Sequence, residues 1–331
     1  MKITLFLRKK IPGENSIEEL AYQLERHVEG LSVCLLPEYG NTIRGIVRNG
    51  LCARRHAGDV NVIFSPSEVG IVPFLRGPKV LVWHDVATAF RTQNPLKRWI
   101  KMRLFRWGAS LCDVNSCISA FTLRELDTFC PRIGRTAVLH NPYDERIVYS
   151  PKAFDEACPT ILHIGTGPRK NLERVIEALS GMPVRLAIVG RLSERQRQLL
   201  AEHGIDYSNC SDVGFDTIVA LYRACDAVSF PSLYEGFGMP VVEAQATGRV
   251  VVASPSGAIP EVAGDSVRYV DPHDVENIRE GFRAVIGDAA LRDALIEKGR
   301  ANAAKYAVRR IVGEYEALFR DLTGRHSARR P

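Results

Sequence analysis

The sequence predicts an α/β protein built from two doubly wound domains, each with a parallel sheet that is covered by helices. Short apolar runs of four to eight residues, rich in Val and Ile and without clean alternation, recur along the chain. Such runs are typical of strands that are buried on both faces. They alternate with segments of helical spacing, which is the order that produces parallel sheets. With 331 residues, the chain has room for two domains of about 150 residues each.

The runs fall into two series of predicted strands, with segments of helical periodicity such as 16–29 and 171–179 between them. The first series comprises Lys2–Leu7, Ser32–Pro37, Val60–Pro66, Lys79–Asp85, Cys112–Ser119 and Thr136–Asn141. The second series comprises Thr160–Gly165, Val184–Gly190, a weaker run at Ser211–Phe215, Cys225–Ser232, Val250–Gly257 and Val267–Pro272.

The boundary between the domains is predicted in the polar stretch 141–159, which three prolines interrupt. We expect residues 1–150 to form a first Rossmann-like domain and residues 151–305 a second one. A last apolar stripe predicts a C-terminal helix over 306–322 that packs back on the first domain. The tail 323–331 is expected to be disordered.

The composition indicates where the protein acts. No run of about 18 apolar residues is present, so no transmembrane helix is expected. The N-terminal apolar stretch is too short for a signal peptide and precedes its basic residues. Eight scattered cysteines, with no C-x-x-C and no paired His/Cys spacing, indicate a reducing cytoplasm and argue against a zinc site or a disulfide framework.

The charge indicates an anionic partner. Residues 1–150 carry 21 Lys and Arg against 14 Asp and Glu, a net charge of +7, whereas the rest of the chain carries −1. Nucleic acid is disfavoured because no basic run interleaved with aromatics forms a recognisable module. The segment Pro95–Trp107 combines five basic residues with apolar ones. As a helix it either lies on an anionic membrane surface or packs its apolar side chains inward: Leu96, Trp99, Ile100 and Leu104.

The most informative segment is PSLYEGFGMPVVEAQATG, residues 231–248. It follows an apolar strand, and open α/β sheets bind ligands at the carboxyl ends of their strands. Gly236 and Gly238 allow the backbone to approach a ligand closely. Pro240 suits the start of a helix and Gly248 its end. The free amides at this helix start predict a diphosphate site.

Two carboxylates flank this predicted diphosphate site. Glu235 precedes the helix and Glu243 lies in its first turns. Because an acid repels a phosphate, we expect both carboxylates to bind hydroxyl groups: Glu243 those of a ribose and Glu235 those of a sugar. Taken alone, Glu243 could equally be an ordinary acidic residue favoured by the helix dipole.

The pattern E-G-F-G-x-P-x-x-E-A-x-x-x-G resembles the signature of a large family of retaining glycosyltransferases, family 4, which use nucleotide sugars and have the GT-B fold. That fold consists of two Rossmann-like domains facing a central cleft. The segments LYRACDAVSFPS, VVVASPSGAIPEVAGDSVRYVDPHD and ILHIGTGPRKNLERVIEAL are similar to the same family, and VLVWHDV, NSCISAFTLREL and VLHNPYD match its first-domain landmarks. The resemblance covers about residues 60–305 and is stronger in the second half.

The resemblance implies roles for the matching residues. Lys170 and Arg169 would neutralise the leaving phosphates, and Glu235 would hold the donor sugar; with His84, which ends VLVWHD beside the donor sugar, these are the implied catalytic residues. The other implied donor contacts are Gly165, Thr166, Gly236, Phe237, Gly238, Met239, Pro240, Val241 and Glu243. No metal and no other cofactor is expected, since cations serve the phosphates and the chain has no D-x-D.

The first domain departs further from the family pattern. The loop IPGENSIEEL resembles an acceptor-side glycine loop, which makes Gly13 and Ser16 candidate acceptor contacts, but it has one Gly where many relatives have two. Many relatives also have Arg where this chain has Thr166, and Arg169 is the candidate to replace it.

The sequence therefore predicts a cytoplasmic, metal-independent, retaining hexosyltransferase in cell-surface polysaccharide synthesis. Its partners would be a UDP- or GDP-linked sugar and a glycan or lipid-linked acceptor, with peripheral association at the inner membrane face. A nucleotide-sugar epimerase or phosphorylase of the same fold and a catalytically inactive binding protein remain alternatives. A nicotinamide-dependent dehydrogenase is disfavoured, because Lys170 stands where its third glycine would be and the next strand runs into Gly190 and Arg191.

Overall fold

The computed structural model describes residues 1–10, 16–40, 42–86, 94–131 and 133–328. They form two compact units: residues 1–142 together with the C-terminal residues from Val308, and residues Tyr143–Ala307. Each unit contains a six-stranded parallel sheet with helices between its strands. The predicted α/β class with two doubly wound, Rossmann-like sheets is confirmed.

The first unit has the strand order β2-β1-β3-β4-β5-β6. Its strands β1 and β3 are buried along their whole length, and β4 is buried after its first residue, Lys79. In chain order its elements are β1 (Ile3–Leu7), α1 (Ser16–His27), β2 (Leu31–Leu35), α2 (Ile43–His56), β3 (Val60–Ile63), a 3-10 segment (Pro66–Phe74), β4 (Lys79–Trp83), α3 (Pro95–Ser110), β5 (Val114–Cys117), α4 (Ala120–Phe129), β6 (Thr136–Val138) and, at the end of the chain, α12 (Val308–Ala328).

Helix α12 differs from the prediction in its length. It packs against α1 and β3 of the first unit and buries a stripe that includes Ile311, Tyr315 and Phe319. The helix continues to Ala328, so the disordered tail predicted from residue 323 is wrong over 323–328. The sequence gives no local signal for this extension, because the apolar stripe ends at Leu322 and Thr323, Gly324 and Ser327 are weak helix formers.

The second unit has the strand order β12-β11-β10-β7-β8-β9. Its elements are β7 (Thr160–Ile164), a 3-10 turn (Pro168–Lys170), α5 (Leu172–Leu179), β8 (Arg185–Val189), α6 (Glu194–Glu202), β9 (Asp206–Cys210), α7 (Phe215–Ala224), β10 (Ala227–Phe230), α8 (Met239–Thr247), β11 (Val250–Ala253), α9 (Ile259–Ala263), β12 (Arg268–Tyr269), α10 (Val275–Gly287) and α11 (Ala289–Ala303). The strand order reverses between β7 and β10, and such a switch point opens a crevice at the carboxyl ends of the strands.

Two sequence-based boundaries shift in the second unit. Residues 143–150 belong to it rather than to the first unit, and Ser150 N donates to Thr247 O at 3.1 Å. The strand expected at Ser211–Phe215 lies instead at Asp206–Cys210. This is an edge strand that is mostly exposed and polar, so its sequence lacks the apolar run on which the prediction depended.

None of the helices in the described ranges is both long enough and apolar enough to cross a bilayer.

A pair of glycine substitutions in the first unit tests its packing. A Cβ added to Gly108 in α3 would overlap the Val69 side chain, whereas one added to Gly313 in α12 would meet nothing. We expect Gly108→Ala to lower the free energy of unfolding by about 1–3 kcal/mol through overpacking. Gly313→Ala should raise it by up to about 1 kcal/mol, because Ala is the better helix former. Denaturant unfolding measures both, and equal effects of the two substitutions would contradict the packing described here.

Candidate functional site

The loop after β7 holds Lys170 in a cramped turn. Gly165 has a left-handed φ of 96°, and a Cβ at this position would lie 2.8 Å from Lys170 Cγ. Only glycine therefore allows the lysine stem to pass so close to the strand end. The 3-10 turn is closed by a hydrogen bond from Lys170 N to Gly167 O at 2.8 Å. The turn places the ammonium at the carboxyl end of the sheet.

Asn171 anchors this loop through side-chain hydrogen bonds to two other loops. It is a buried residue in the left-handed region, with a φ of 64°, a conformation that Asn tolerates better than most residues. Its Nδ2 donates to Pro231 O at 3.0 Å and to Pro272 O at 2.7 Å. One side chain thus ties the loop after β7 to the loops after β10 and β12.

Glu235, in the loop after β10, pairs with Lys170. Its Oε1 lies 2.6 Å from Lys170 Nζ, and both side chains are largely buried. The ammonium also lies 4.7 Å from the centre of the Phe230 ring, a favourable cation–π distance. The positive group and the carboxylate are therefore fixed against each other at the switch point of the sheet.

The loop after β11 supports the Glu235 backbone. Ala258 N donates to Glu235 O at 2.9 Å. Gly257 has a φ of 64°, and a Cβ there would overlap the Glu235 carbonyl. A glycine is thus required for this close approach. Three neighbouring strands, β7, β10 and β11, therefore contribute to one site.

Helix α8 begins beside this ion pair and presents a helix N-terminus. Gly238, with a φ of 107°, precedes it, and no side chain caps it. Met239 and Pro240 occupy its first two positions, as the diphosphate hypothesis requires. Val241 differs, because its amide already donates to Gly238 O at 3.0 Å. An anion would find the free amide and positive dipole end of a nine-residue helix here.

Glu243 is buried inside the same helix and accepts a hydrogen bond from another element. The hydroxyl of Tyr222, on α7, donates to Glu243 Oε2 at 2.7 Å. Burial raises the pKa of Glu243 to about 7, although the Tyr222 hydrogen bond opposes the shift. The carboxyl is therefore able to bind a hydroxyl either as an acceptor or, when protonated, as a donor.

His163 lies on β7 behind the ion pair. It is fully buried, and its Nδ1 lies 3.2 Å from Ser229 Oγ. Burial, with a smaller contribution from the Lys170 charge, lowers the pKa of His163 to about 3. The ring is therefore neutral at physiological pH and adds no charge beside Lys170.

The remaining predicted donor contacts surround these groups. Arg169 contributes its carbonyl, which accepts from Leu233 N at 2.8 Å. The hydroxyl of Thr166 donates to Arg191 O at 2.7 Å, so this side chain is engaged outside the Lys170–Glu235 pair. Gly236 and Phe237 are buried, and the Phe237 ring packs edge-on against Tyr306 at 5.5 Å.

Among the residues predicted in the first unit, His84 and Ser16 lie at different elements. His84 follows β4; its Nε2 lies 2.9 Å from Phe64 O, to which it donates when protonated there. Burial lowers the pKa of His84 to about 4, so the ring is neutral near pH 7. Gly13 lies outside the described residues. The backbone of Ser16 begins α1.

The second unit therefore unites a cation, an uncapped helix start and two carboxylates in contrasting surroundings. The cation and the amides suit a diphosphate. The carboxylates suit hydroxyl groups that lie on either side of it.

Sequence reasoning missed Asn171, Tyr222, Phe230, His163 and Gly257. Only Asn171 carried a usable signal, because Asn between a turn and a helix favours the left-handed conformation. The others come from distant parts of the chain and meet only in the folded unit.

The comparisons with known proteins follow the division of the chain. Residues 150–302, nearly all of the second unit, match the family described as "Glycosyl transferases group 1". A serotype-specific mannosyltransferase of Escherichia coli is 33% identical over 153 residues, which cover 42% of this chain and 19% of that protein. The chain thus matches only about a fifth of the length of the first curated relatives.

Solved structures share the fold over the whole chain. The sucrose-phosphate synthase of Thermosynechococcus elongatus has a TM-score of 0.81 at 15% identity and covers 98% of this chain and 99% of its own. The HepE protein of Anabaena, in complex with UDP and glucose, has a TM-score of 0.79 at 17% identity and covers 97% of this chain and 100% of its own. At these identities the likeness establishes the GT-B fold.

The pKa of Glu243 predicts a measurable pH dependence. The folded protein keeps this proton up to about pH 7, whereas the unfolded chain loses it near pH 4.5. The contribution to stability is therefore complete below pH 4.5 and is lost as the pH rises through 7, which amounts to about 3 kcal/mol. We expect Glu243→Gln to flatten this fall in the free energy of unfolding, measured by denaturant titration between pH 4 and 8.

Glu194→Gln, at an exposed position of the same unit, is the control and should leave the profile unchanged. An identical profile for Glu243→Gln and the parent would show that Glu243 is ionised throughout this range.

Proposed function

We propose, from the match of residues 150–302 to the group 1 glycosyltransferases, that the protein is a retaining glycosyltransferase that moves a hexose from a nucleoside diphosphate sugar to a glycan. The observation that carries the proposal is the Lys170–Glu235 ion pair beside the start of α8. A diphosphate needs a cation and the positive end of a helix dipole, and a sugar needs a hydroxyl-binding carboxylate. The second unit offers all three within one loop cluster.

The chemistry follows from the charge that develops. When the bond between the anomeric carbon and the phosphate oxygen breaks, negative charge grows on the leaving diphosphate. Lys170, with Arg169 and the α8 dipole, would stabilise that charge, and preorganised groups of this kind supply a large part of enzymatic rate enhancement. The acceptor oxygen bonds to the anomeric carbon on the same face, and its proton passes to the leaving phosphate oxygen.

The ion pair also assigns a role to Glu235. Lys170 Nζ donates to Glu235 Oε1 at 2.6 Å. A bound diphosphate would share the lysine, which frees carboxylate lone pairs for donor-sugar hydroxyls. Glu243 would meet the ribose, with Tyr222 holding its carboxyl in place.

The donor is proposed to be a UDP- or GDP-linked hexose. The E. coli relatives are mannosyltransferases, and the Anabaena neighbour binds UDP and glucose. The acceptor is proposed to be a growing cell-surface glycan or a lipid-linked precursor of one. Transfer is proposed to need no metal and no other cofactor, since Lys170 and Arg169 supply the positive charge.

A donor panel tests the function directly. The protein is incubated with UDP- and GDP-linked glucose and mannose in the presence of a chelator, and nucleotide release and glycan product are measured. We expect one donor to be consumed, with the anomeric configuration retained in the product by NMR. Lys170→Ala should lower kcat by about 10²–10³-fold, in line with the loss of one charge-stabilising group.

Lys298→Ala is the matched control, since Lys298 lies in the same unit, exposed and paired only with Asp265. It should keep full activity. Interconversion of donor sugars without transfer would favour an epimerase, and consumption of inorganic phosphate would favour a phosphorylase. Activity that is restored only by a divalent cation would refute the metal-independent mechanism.

We also propose that the protein works on the cytoplasmic side of a membrane and docks on it through α3. Leu96, Trp99 and Ile100 are 65, 56 and 53% exposed, so the inward-packing alternative fails for these three side chains. The same helix carries Lys97, Arg98, Lys101, Arg103 and Arg106. Exposed apolar side chains among basic ones suit a surface of anionic lipid.

Vesicle co-sedimentation tests this docking. We expect the protein to bind phosphatidylglycerol-containing vesicles more strongly than pure phosphatidylcholine ones, and less strongly at high salt. Ile100→Ser should weaken binding by about 10–100-fold, because one buried isoleucine is worth about 1.5–3 kcal/mol. Ile43→Ser, at an 84% exposed isoleucine on α2, should not. Equal effects of the two substitutions on vesicle binding would rule out docking through α3.

A further inference from the structure

Three potential metal ligands meet at one edge of the first sheet, and none of them is among the residues assigned above. Cys34 lies on the edge strand β2, and Cys52 and His56 lie one turn apart in the last turns of α2. Their ligand atoms all lie within 4.8 Å of one another. The cysteines are half-buried and the histidine is exposed, so solvent reaches the group from one side.

The spacing suits a tetrahedral cation. Zinc binds sulfur at about 2.3 Å and nitrogen at about 2.0–2.1 Å, so two such ligands at the tetrahedral angle lie about 3.6 Å apart. Cys52 Sγ and His56 Nδ1 are 3.7 Å apart. Residues at i and i+4 on a helix share a face, and the strand supplies the third ligand from the opposite side.

The frame that carries these ligands is fixed by other contacts. Thr4 Oγ1, on β1, donates to His56 O at 2.8 Å, and Lys2 Nζ donates to Ala57 O at 3.2 Å. Cys34 is paired with Phe6 in the register of β1 and β2. The end of α2 and the edge strand are therefore both held to β1, which limits the rearrangement needed for binding.

We propose that Cys34, Cys52 and His56 form a zinc site that ties the end of α2 to the edge of the first sheet, with a water molecule as the fourth ligand. Two thiolates and a neutral imidazole balance the charge of Zn²⁺. The thiols release their protons to solvent on binding. At Nδ1 the metal replaces the hydrogen bond that His56 now makes to Cys52 O at 2.9 Å. The site takes no part in the proposed transfer reaction.

Metal titration of the whole chain tests the proposal. Protein that has been reduced and stripped with a chelator is titrated with Zn²⁺ by calorimetry and with Co²⁺ by absorption. We expect one ion per chain, a thiolate-to-cobalt charge-transfer band in the near ultraviolet, and a higher Tm with Zn²⁺. Cys34→Ser and Cys52→Ser should abolish the band. His56→Gln should weaken Zn²⁺ binding by at least the roughly 10–100-fold that loss of an outer-shell partner costs.

Cys158→Ser, at a half-buried cysteine of the second unit, is the control and should leave the titration unchanged. Circular dichroism of each variant establishes that it is folded before the titration is interpreted. Failure of the parent to bind Zn²⁺ would overturn the proposal, as would full binding by Cys34→Ser. A chain that binds no metal but loses the mass of two hydrogens in air, dependent on Cys34 and Cys52, would identify a disulfide pair instead. Glycosyl transfer is measured separately, so its failure leaves this result intact.

Discussion

The ion pair between Lys170 and Glu235 lies where the loops after β7 and β10 meet, and the candidate site depends on it. Gly165 makes room for the lysine stem, Asn171 anchors its turn, and Gly257 lets the loop after β11 support the Glu235 backbone. Each of these features orients a charged group at the carboxyl edge of a parallel sheet. Charged groups that are already oriented need little rearrangement when negative charge develops on a ligand. Such preorganisation is the condition for strong electrostatic stabilisation.

Two carboxylates of one segment have opposite environments. Glu235 forms an ion pair with Lys170, whereas Glu243 is buried within α8 and accepts a hydrogen bond from the Tyr222 hydroxyl of α7. Glu235 is held by the charge of the lysine, and Glu243 by a neutral hydrogen-bond donor. Burial raises the pKa of Glu243 to about 7. Two carboxyl groups in such different surroundings commonly have different roles. The roles proposed here are binding of the donor sugar by Glu235 and binding of the ribose by Glu243.

The sequence was informative where a residue's role depends on its near neighbours. The glycines, Pro240 and both glutamates of 231–248 were identified because strand, turn and helix start are local signals. Strand β9 was misplaced because an edge strand needs no apolar run. The tail beyond residue 322 was expected to be disordered because the apolar stripe ends there and weak helix formers such as Gly324 follow. The group of Cys34, Cys52 and His56 was passed over because its strand and helix members are far apart in the chain.

The sequence by itself therefore determined the two parallel sheets, the segment 231–248 as the candidate site and the glycosyltransferase resemblance, because each rests on periodicity or on a short contiguous motif. Tertiary structure alone decided that Lys170 pairs with Glu235, that the Tyr222 hydroxyl donates a hydrogen bond to Glu243 and that Asn171 joins three loops. Those partners are 21 to 101 residues apart. They meet because parallel strands bring the ends of distant segments to one edge of a sheet.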